Sequence, residues 1–256
     1  MDSPPPNATN AALDQEINAV YRLYVSLGPA MDPETGLGGK LLYIGELDPS
    51  ACLLLRAANI AGATSLAASA DTAALRQAMR EGAIDFIVTT LSEALRILKN
   101  QIRKKEPVAV GVSLAPQAFE REMLDRGVQP DLFAPKLPLS PELAEIEAHG
   151  GWHIQPEPLP PGFTLNLIPV PHDWRRPLGA FDELLLSGLA AADHLNHRWV
   201  RAAPRYLSTE ARHLRSIACD PETISRLTAA SAKDNDSARP AIASCDRYNR
   251  AKLNDD

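Results

Sequence analysis

The regular alternation of short apolar runs with helix-like segments between residues 40 and 135 restricts the fold of this 256-residue chain more than any other feature. Each intervening segment carries apolar residues at a helical spacing. Strands that alternate with helices in this way form a parallel sheet that is covered on both faces. The sequence therefore predicts an α/β fold, a Rossmann-like doubly wound parallel sheet of about five strands. The predicted strands are residues 40–45, 63–69, 83–89, 107–113 and 130–134.

Local signals mark the ends of several helices in this region. Asp48 predicts the N-cap of a helix over residues 49–61, and Gly62 is expected to end it. Asp71 predicts the start of a second helix over residues 72–81 in the same way. Periodicity predicts three further helices, over residues 91–104, 116–126 and 141–148.

The rest of the chain is predicted to form further segments on either side of this domain. Residues 11–27 follow a helical period, residues 163–170 resemble a strand, and residues 181–217 resemble a helix that Pro204 divides into two. We therefore expect a disordered N-terminus (1–10), an N-terminal helix and loop (11–38), the α/β domain (39–135), a proline-rich arm (136–180), a helical C-terminal segment (181–227) and a disordered tail (228–256).

Charge and composition exclude several classes of protein. The 26 Lys and Arg against 32 Asp and Glu give a net charge of −6, so nucleic acid is not an expected partner. The three cysteines are far apart and predict no disulfide framework. The N-terminus resembles no signal peptide, and we find no uninterrupted apolar stretch long enough to span a membrane. We expect a cytoplasmic protein without membrane association, and its oligomeric state stays open.

Four stretches within residues 39–134 are similar to one known family. They are Gly39-Lys40 at the start of the first strand, AANIAGATSL (57–66), LSEAL (91–95) and RGVQPDLF (126–133), and their spacing agrees closely with the family's. The region resembles the central NAD-binding domain of urocanase, the urocanate hydratase of histidine breakdown. The resemblance implies a Rossmann-like domain of histidine-catabolism lineage, and it does not extend to residues 1–38 or 180–256.

The positions at which that family binds NAD differ in this chain. The family has a glycine-rich loop after the first strand, where glycine lets the pyrophosphate approach backbone amides. This chain has Gly45-Glu46-Leu47-Asp48-Pro49-Ser50, which keeps one glycine and adds two carboxylates that repel an anion. Ser69 stands where the family has an acidic residue, and APKLPLSP (134–141) replaces its polar active-site loop. The resemblance therefore predicts a degenerate NAD site, with Gly45, Glu46, Ser50 and Ser69 as candidate ligand-binding residues.

A proline-rich loop provides the other candidate ligand-binding residues. His172, Asp173, Arg175 and Arg176 combine groups that can recognise an acidic ligand. The alternative is a loop whose charges face water. His194 and His197 have a helical spacing but no third ligand, so we predict no metal site.

Three functions remain open. The first is a stand-alone urocanase-like domain that binds a small anionic molecule or a protein partner. It would have no assigned cofactor, no identified catalytic residue and no hydratase activity of its own. The second is a hydro-lyase related to urocanate hydratase that uses NAD in a rebuilt or partner-completed site. The third and weakest is an RNA-binding module that uses the arginines of residues 197–215, for which a solvated helix face is the alternative.

Overall fold

The computed structural model describes residues 6–135, 137, 140–159, 161–170 and 177–234. The chain divides into two compact units, residues 19–158 and residues 1–18 with 159–256. The first unit contains the predicted α/β domain and extends beyond both of its predicted ends, residues 39 and 135.

Within the described residues, the first unit holds one sheet of six parallel strands. The strands are β1 (Leu41–Glu46), β2 (Thr64–Ala68), β3 (Phe86–Val88), β4 (Val108–Val112), β5 (Leu132–Phe133) and β6 (Trp152–His153). Their order across the sheet is β3-β4-β2-β1-β5-β6. The predicted Rossmann-like α/β fold is confirmed. The number of strands is corrected from five to six, because the two residues of β6 are too few to show a sequence period.

Helix α1 (Pro6–Leu27) precedes the first strand. The helices that connect successive strands are α2 (Pro49–Ala61), α3 (Thr72–Arg80), α4 (Leu91–Lys104), α5 (Pro116–Asp125) and α6 (Pro141–Ala148). The Asp48 carboxylate accepts a hydrogen bond from the Ala51 amide at 2.7 Å, and the Asp71 carboxylate accepts one from the Ala73 amide at 2.7 Å. Both predicted N-caps are therefore confirmed, and Gly62 ends α2 in a left-handed conformation with φ +95°.

The helices cover both faces of the sheet. On one face, α4, α5 and α6 pack over alternate strand residues, so that Tyr43 and Leu66 share a core with Phe119. On the other face, a Cβ added to Gly111 would overlap Leu75 of α3. Right-handed crossovers place α2 on the same face as α3. Because α2 follows β1 on one face and α6 follows β5 on the other, a crevice separates the carboxyl ends of these two neighbouring strands.

Strand β5 joins β1 across a long stretch of sequence. Leu42 and Tyr43 pair with Leu132 and Phe133. The Asp131 carboxylate also accepts a hydrogen bond from the Leu41 amide at 2.8 Å, although 90 residues separate them in the chain. The β1/β5 crevice therefore takes its two walls from distant parts of the sequence.

The second unit differs from the sequence prediction. It contains β7 (Thr164–Pro169), α7 (Leu178–Gly188), α8 (His194–Tyr206), β8 (Leu214–Cys219) and α9 (Pro221–Asp234). The strand predicted over 163–170 is confirmed as β7. The helical segment predicted over 181–227 is corrected at residues 214–219, which form a strand that pairs antiparallel with β7. Leu214 and Ile217 fit a helical spacing, but pairing with β7 buries Ile217 completely. Pro204 lies inside α8 and does not begin a new helix.

Helix also replaces part of the predicted disorder at both ends. Residues 6–10 belong to α1, and residues 228–234 belong to α9. Residues 1–5 and 235–256 lie outside the described residues. Among the described helices, none combines the length and apolar character that crossing a membrane requires.

Candidate functional site

A pocket of about 370 Å³ lies at the β1/β5 crevice. Its polar lining residues are Glu46, Asp48 and Ser50, and its apolar lining includes Leu23, Ile44, Leu54, Ala134, Pro135 and Leu137. Doubly wound sheets bind ligands in crevices of this kind, beyond the carboxyl ends of the strands. The volume lies at the lower end of the range for small-molecule pockets, about 300–1,000 Å³.

Gly45 forms a bulge inside β1. Tyr43 pairs with Leu66 and Glu46 pairs with Ala68, so β1 contains one more residue than β2 between these two pairs. Gly45 has a φ of +84°, a conformation that favours glycine. The strand continues past the bulge to Glu46. Gly45 is therefore part of the sheet and does not begin the turn that follows β1.

Leu137 covers Gly45. A Cβ added to Gly45 would overlap Cδ2 of Leu137, so this leucine fills the space that the missing side chain leaves. Leu137 belongs to the segment after β5 and also lines the pocket. Sequence reasoning missed it, because the contact joins distant parts of the chain. In the sequence, only its apolar character within the proline-rich stretch 134–141 could have pointed to Leu137.

The first turn of α2 offers few backbone donors to a ligand. Pro49 has no amide hydrogen. The Ala51 amide already donates to the Asp48 carboxylate, and the Cys52 amide donates to the Asp48 carbonyl oxygen at 3.0 Å. Glu46 is exposed, and within the described part of the chain its carboxylate makes no hydrogen bond or ion pair. The charge beside this helix end is therefore negative.

A buried hydrogen-bond network anchors the segment that follows β5. The Tyr43 hydroxyl donates to Glu120 Oε1 at 2.8 Å, and the Ser140 hydroxyl donates to Glu120 Oε2 at 2.5 Å. Burial, together with the nearby Glu120 carboxylate, raises the pKa of the Tyr43 phenol far above its usual value. Ser140 also accepts a hydrogen bond from the Leu143 amide at 2.9 Å and so caps α6. The network fixes the start of α6 shortly after Leu137.

Ser69 does not line the pocket. It is 2% exposed at the carboxyl end of β2, and its amide donates to the Val112 carbonyl oxygen at 3.0 Å. Its hydroxyl accepts a hydrogen bond from the Asp71 amide at 3.2 Å. Ser69 therefore helps to shape the connection from β2 to α3.

The structure thus brings three of the predicted site residues to one place. Glu46 and Ser50 line the pocket, and Gly45 lies beneath its Leu137 wall. The other candidates, His172, Asp173, Arg175 and Arg176, lie outside the described residues.

The histidines of α8 do not form a metal site in the described part of the chain. Nε2 of His197 lies 3.2 Å from the carbonyl oxygen of Ala190. Across the described residues, no three His, Cys, Asp or Glu side chains are grouped so that they could hold a metal ion.

The six-stranded sheet and its β1/β5 pocket define a Rossmann-like domain with a crevice at the carboxyl edge of the sheet. Residues 53–139 match the family model of the urocanase Rossmann-like domain. The resemblance to this domain that the sequence predicted is therefore confirmed for this part of the chain. The match begins within α2 and ends after β5, so β1 and its bulge precede the matched segment.

Proposed function

We propose that this urocanase-type domain is a small-ligand-binding or accessory module that has lost the NAD-binding mode of its family. In this proposal it has no urocanate hydratase activity of its own. The single observation that carries the proposal is the position of Leu137 over Gly45. In the family, glycines after the first strand leave room for a phosphate, whereas in this chain a leucine side chain covers the glycine near the end of that strand.

The residues of the β1–α2 connection do not fit a dinucleotide pyrophosphate. An anion at a helix N-terminus needs free backbone amides and a positive field. The Ala51 amide is engaged by Asp48, and Pro49 contributes no donor. Glu46 and Asp48 add two negative charges at the pocket. The small volume of the pocket also favours one compact molecule over a dinucleotide.

Native mass spectrometry tests this proposal directly. The full chain is measured as purified and again with excess NAD. We expect no NAD complex, and a smaller bound mass in the untreated sample would identify the natural ligand. A complex of one NAD per chain, reproduced by calorimetry, would overturn the proposal.

A second candidate function is favoured by the family match over residues 53–139. In this alternative, the chain is a hydro-lyase related to urocanate hydratase, and another protein supplies the missing part of the site. The test follows the ultraviolet absorbance of urocanate with the purified chain, NAD and candidate partner proteins. Sustained loss of absorbance that requires this chain would favour the hydro-lyase over the binding module.

A further inference from the structure

We infer that the β1/β5 pocket takes a small organic cation, a protonated amine attached to a compact apolar group. The inference rests on the proposed small-ligand function and adds the chemical class of the ligand. Among the described residues that line the pocket, the two charged ones, Glu46 and Asp48, are both carboxylates. No lysine, arginine or histidine belongs to this described part of the lining.

The electrostatics of the pocket favour a positive group. A helix N-terminus carries only about half a positive elementary charge, whereas Glu46 and Asp48 each carry a full negative charge. Asp48 uses Oδ1 to cap α2, but capping does not remove its charge. Glu46 has no hydrogen-bonding or ion-pair partner among the described residues. A cation beside these carboxylates is attracted, and an anion in the same place is repelled.

The shape of the pocket suits a ligand with one charged end. Leu23, Ile44, Leu54 and Leu137 provide apolar walls for the body of the ligand. The carboxylates stand on exposed residues at the rim, so a bound ammonium group keeps part of its hydration. The ligand would therefore bury its apolar surface without burying its charge, which would be costly. The anionic ligand expected from the sequence depended instead on residues 172–176, which lie outside the described residues.

Three probes of similar shape and different charge test the inference. They are cyclohexylammonium, cyclohexanol and cyclohexanecarboxylate, each titrated into the isotope-labelled full chain and followed by the amide signals of Glu46, Ser50 and Ala134. We expect cyclohexylammonium to bind about tenfold more tightly than cyclohexanol, since two exposed carboxylates attract its charge. Cyclohexanecarboxylate is expected to bind most weakly, and added salt should reduce the preference for the cation.

Charge-removing variants assign the preference to the two carboxylates. Glu46→Gln and Asp48→Asn are each expected to weaken cyclohexylammonium binding about threefold and to leave cyclohexanol binding unchanged. Asparagine keeps the N-cap of α2. The matched control is Glu145→Gln, which removes the same charge from an exposed position of α6 outside the pocket lining. It should leave the binding of all three probes unchanged.

A pair of blocking variants places the binding in the pocket. Ser50→Trp adds a large side chain to the lining, whereas Ser92→Trp adds one at the corresponding second position of α4. Loss of cyclohexylammonium binding in Ser50→Trp alone supports the inference. Equal or tighter binding of cyclohexanol or cyclohexanecarboxylate, lost in Ser50→Trp, overturns the cation preference and leaves the small-ligand proposal standing. Absence of pocket shifts with all three probes also overturns the cation preference, while NAD binding is the result that overturns the proposed function.

Discussion

The carboxyl ends of the strand pairs β1/β5 and β2/β4 differ in structure, although in both pairs the following helices lie on opposite faces of the sheet. The connections that follow β1 and β5 run away from each other, whereas those that follow β2 and β4 cross over the neighbouring strand. At β2/β4, backbone pairing continues past the strand ends through Ser69 and Val112, and Ser69 is buried. At β1/β5, the bulge at Gly45 and the segment carrying Leu137 border a pocket of about 370 Å³. The comparison shows that the pocket lies where the connections from two neighbouring strands diverge, and that the Gly45 bulge and the Leu137 segment border it.

The largest expected effect comes from adding a side chain at Gly45 in the β1 bulge. Gly45→Ala is expected to lower the free energy of unfolding by about 3 kcal/mol. A left-handed conformation costs a non-glycine residue about 1–2 kcal/mol, and the overlap with Leu137 adds a packing cost of similar size. Urea unfolding followed by circular dichroism measures the change.

A matched glycine separates the two contributions. Gly127 has a φ of +61° and no atom within 4 Å of an added Cβ, so Gly127→Ala should cost only the conformational part. Adding Leu137→Ala to Gly45→Ala should recover part of the lost stability. Equal losses of unfolding free energy in Gly45→Ala and Gly127→Ala would show that Leu137 does not occupy the space above Gly45.

A smaller effect is expected from weakening the network that anchors the segment after β5. Tyr43→Phe removes one of the donors to the buried Glu120 carboxylate and is expected to cost about 2 kcal/mol of stability. A double-mutant cycle with Glu120→Gln measures the coupling between the two side chains. Strictly additive losses would mean that the hydrogen bond does not stabilise the folded chain.

The N-caps that follow β1 and β2 should contribute equally to stability and differently to binding. Asp48→Ala and Asp71→Ala each remove a cap and are expected to cost about 1 kcal/mol. Asp48→Ala alone should also weaken cyclohexylammonium binding, because Asp71 does not line the pocket. Thermal unfolding and the probe titration measure the two effects, and equal weakening of binding by Asp71→Ala would remove the distinction between the two strand ends.

The smallest effect is expected at the β3–α4 connection, which does not line the pocket. The backbone amide of Thr89, and then its hydroxyl, hold the pKa of Glu93 below the usual 4.5 of a glutamate. A carboxyl group whose pKa is lower in the folded chain stabilises that chain above its unfolded pKa, and this stabilisation is lost as pH falls through the folded pKa. Glu93→Gln should therefore flatten the decline of stability below about pH 4.5. Urea midpoints at pH 7 and pH 3.5 test this, and an unchanged decline in the variant would contradict it.

The sequence predicted the local parts of the fold better than the distant contacts. Helices α2, α4 and α6 begin and end at the predicted residues, because N-caps, glycines and prolines mark them within a few positions. Strand β8 was mistaken for helix, since its partner β7 lies about 50 residues earlier and only pairing decides between the two states. The same difference between local signals and distant contacts applies to the candidate site. Glu46 and Ser50 could be chosen from the β1–α2 connection, whereas the role of Leu137 depends on a contact that no local pattern records.

The late position of β5 in the chain sets the order in which the pocket can form. Strands β1 to β4 lie within residues 41–112 and can pair as soon as that stretch has been synthesised. The β5 side of the pocket forms only when Asp131 contacts the Leu41 amide and Leu137 contacts Gly45. Closing so long a loop is slow. A nascent chain that ends before residue 130 therefore has most of its sheet and no pocket. The pocket therefore forms only after β1 to β4 have been synthesised, and it is lost if β5 detaches from β1.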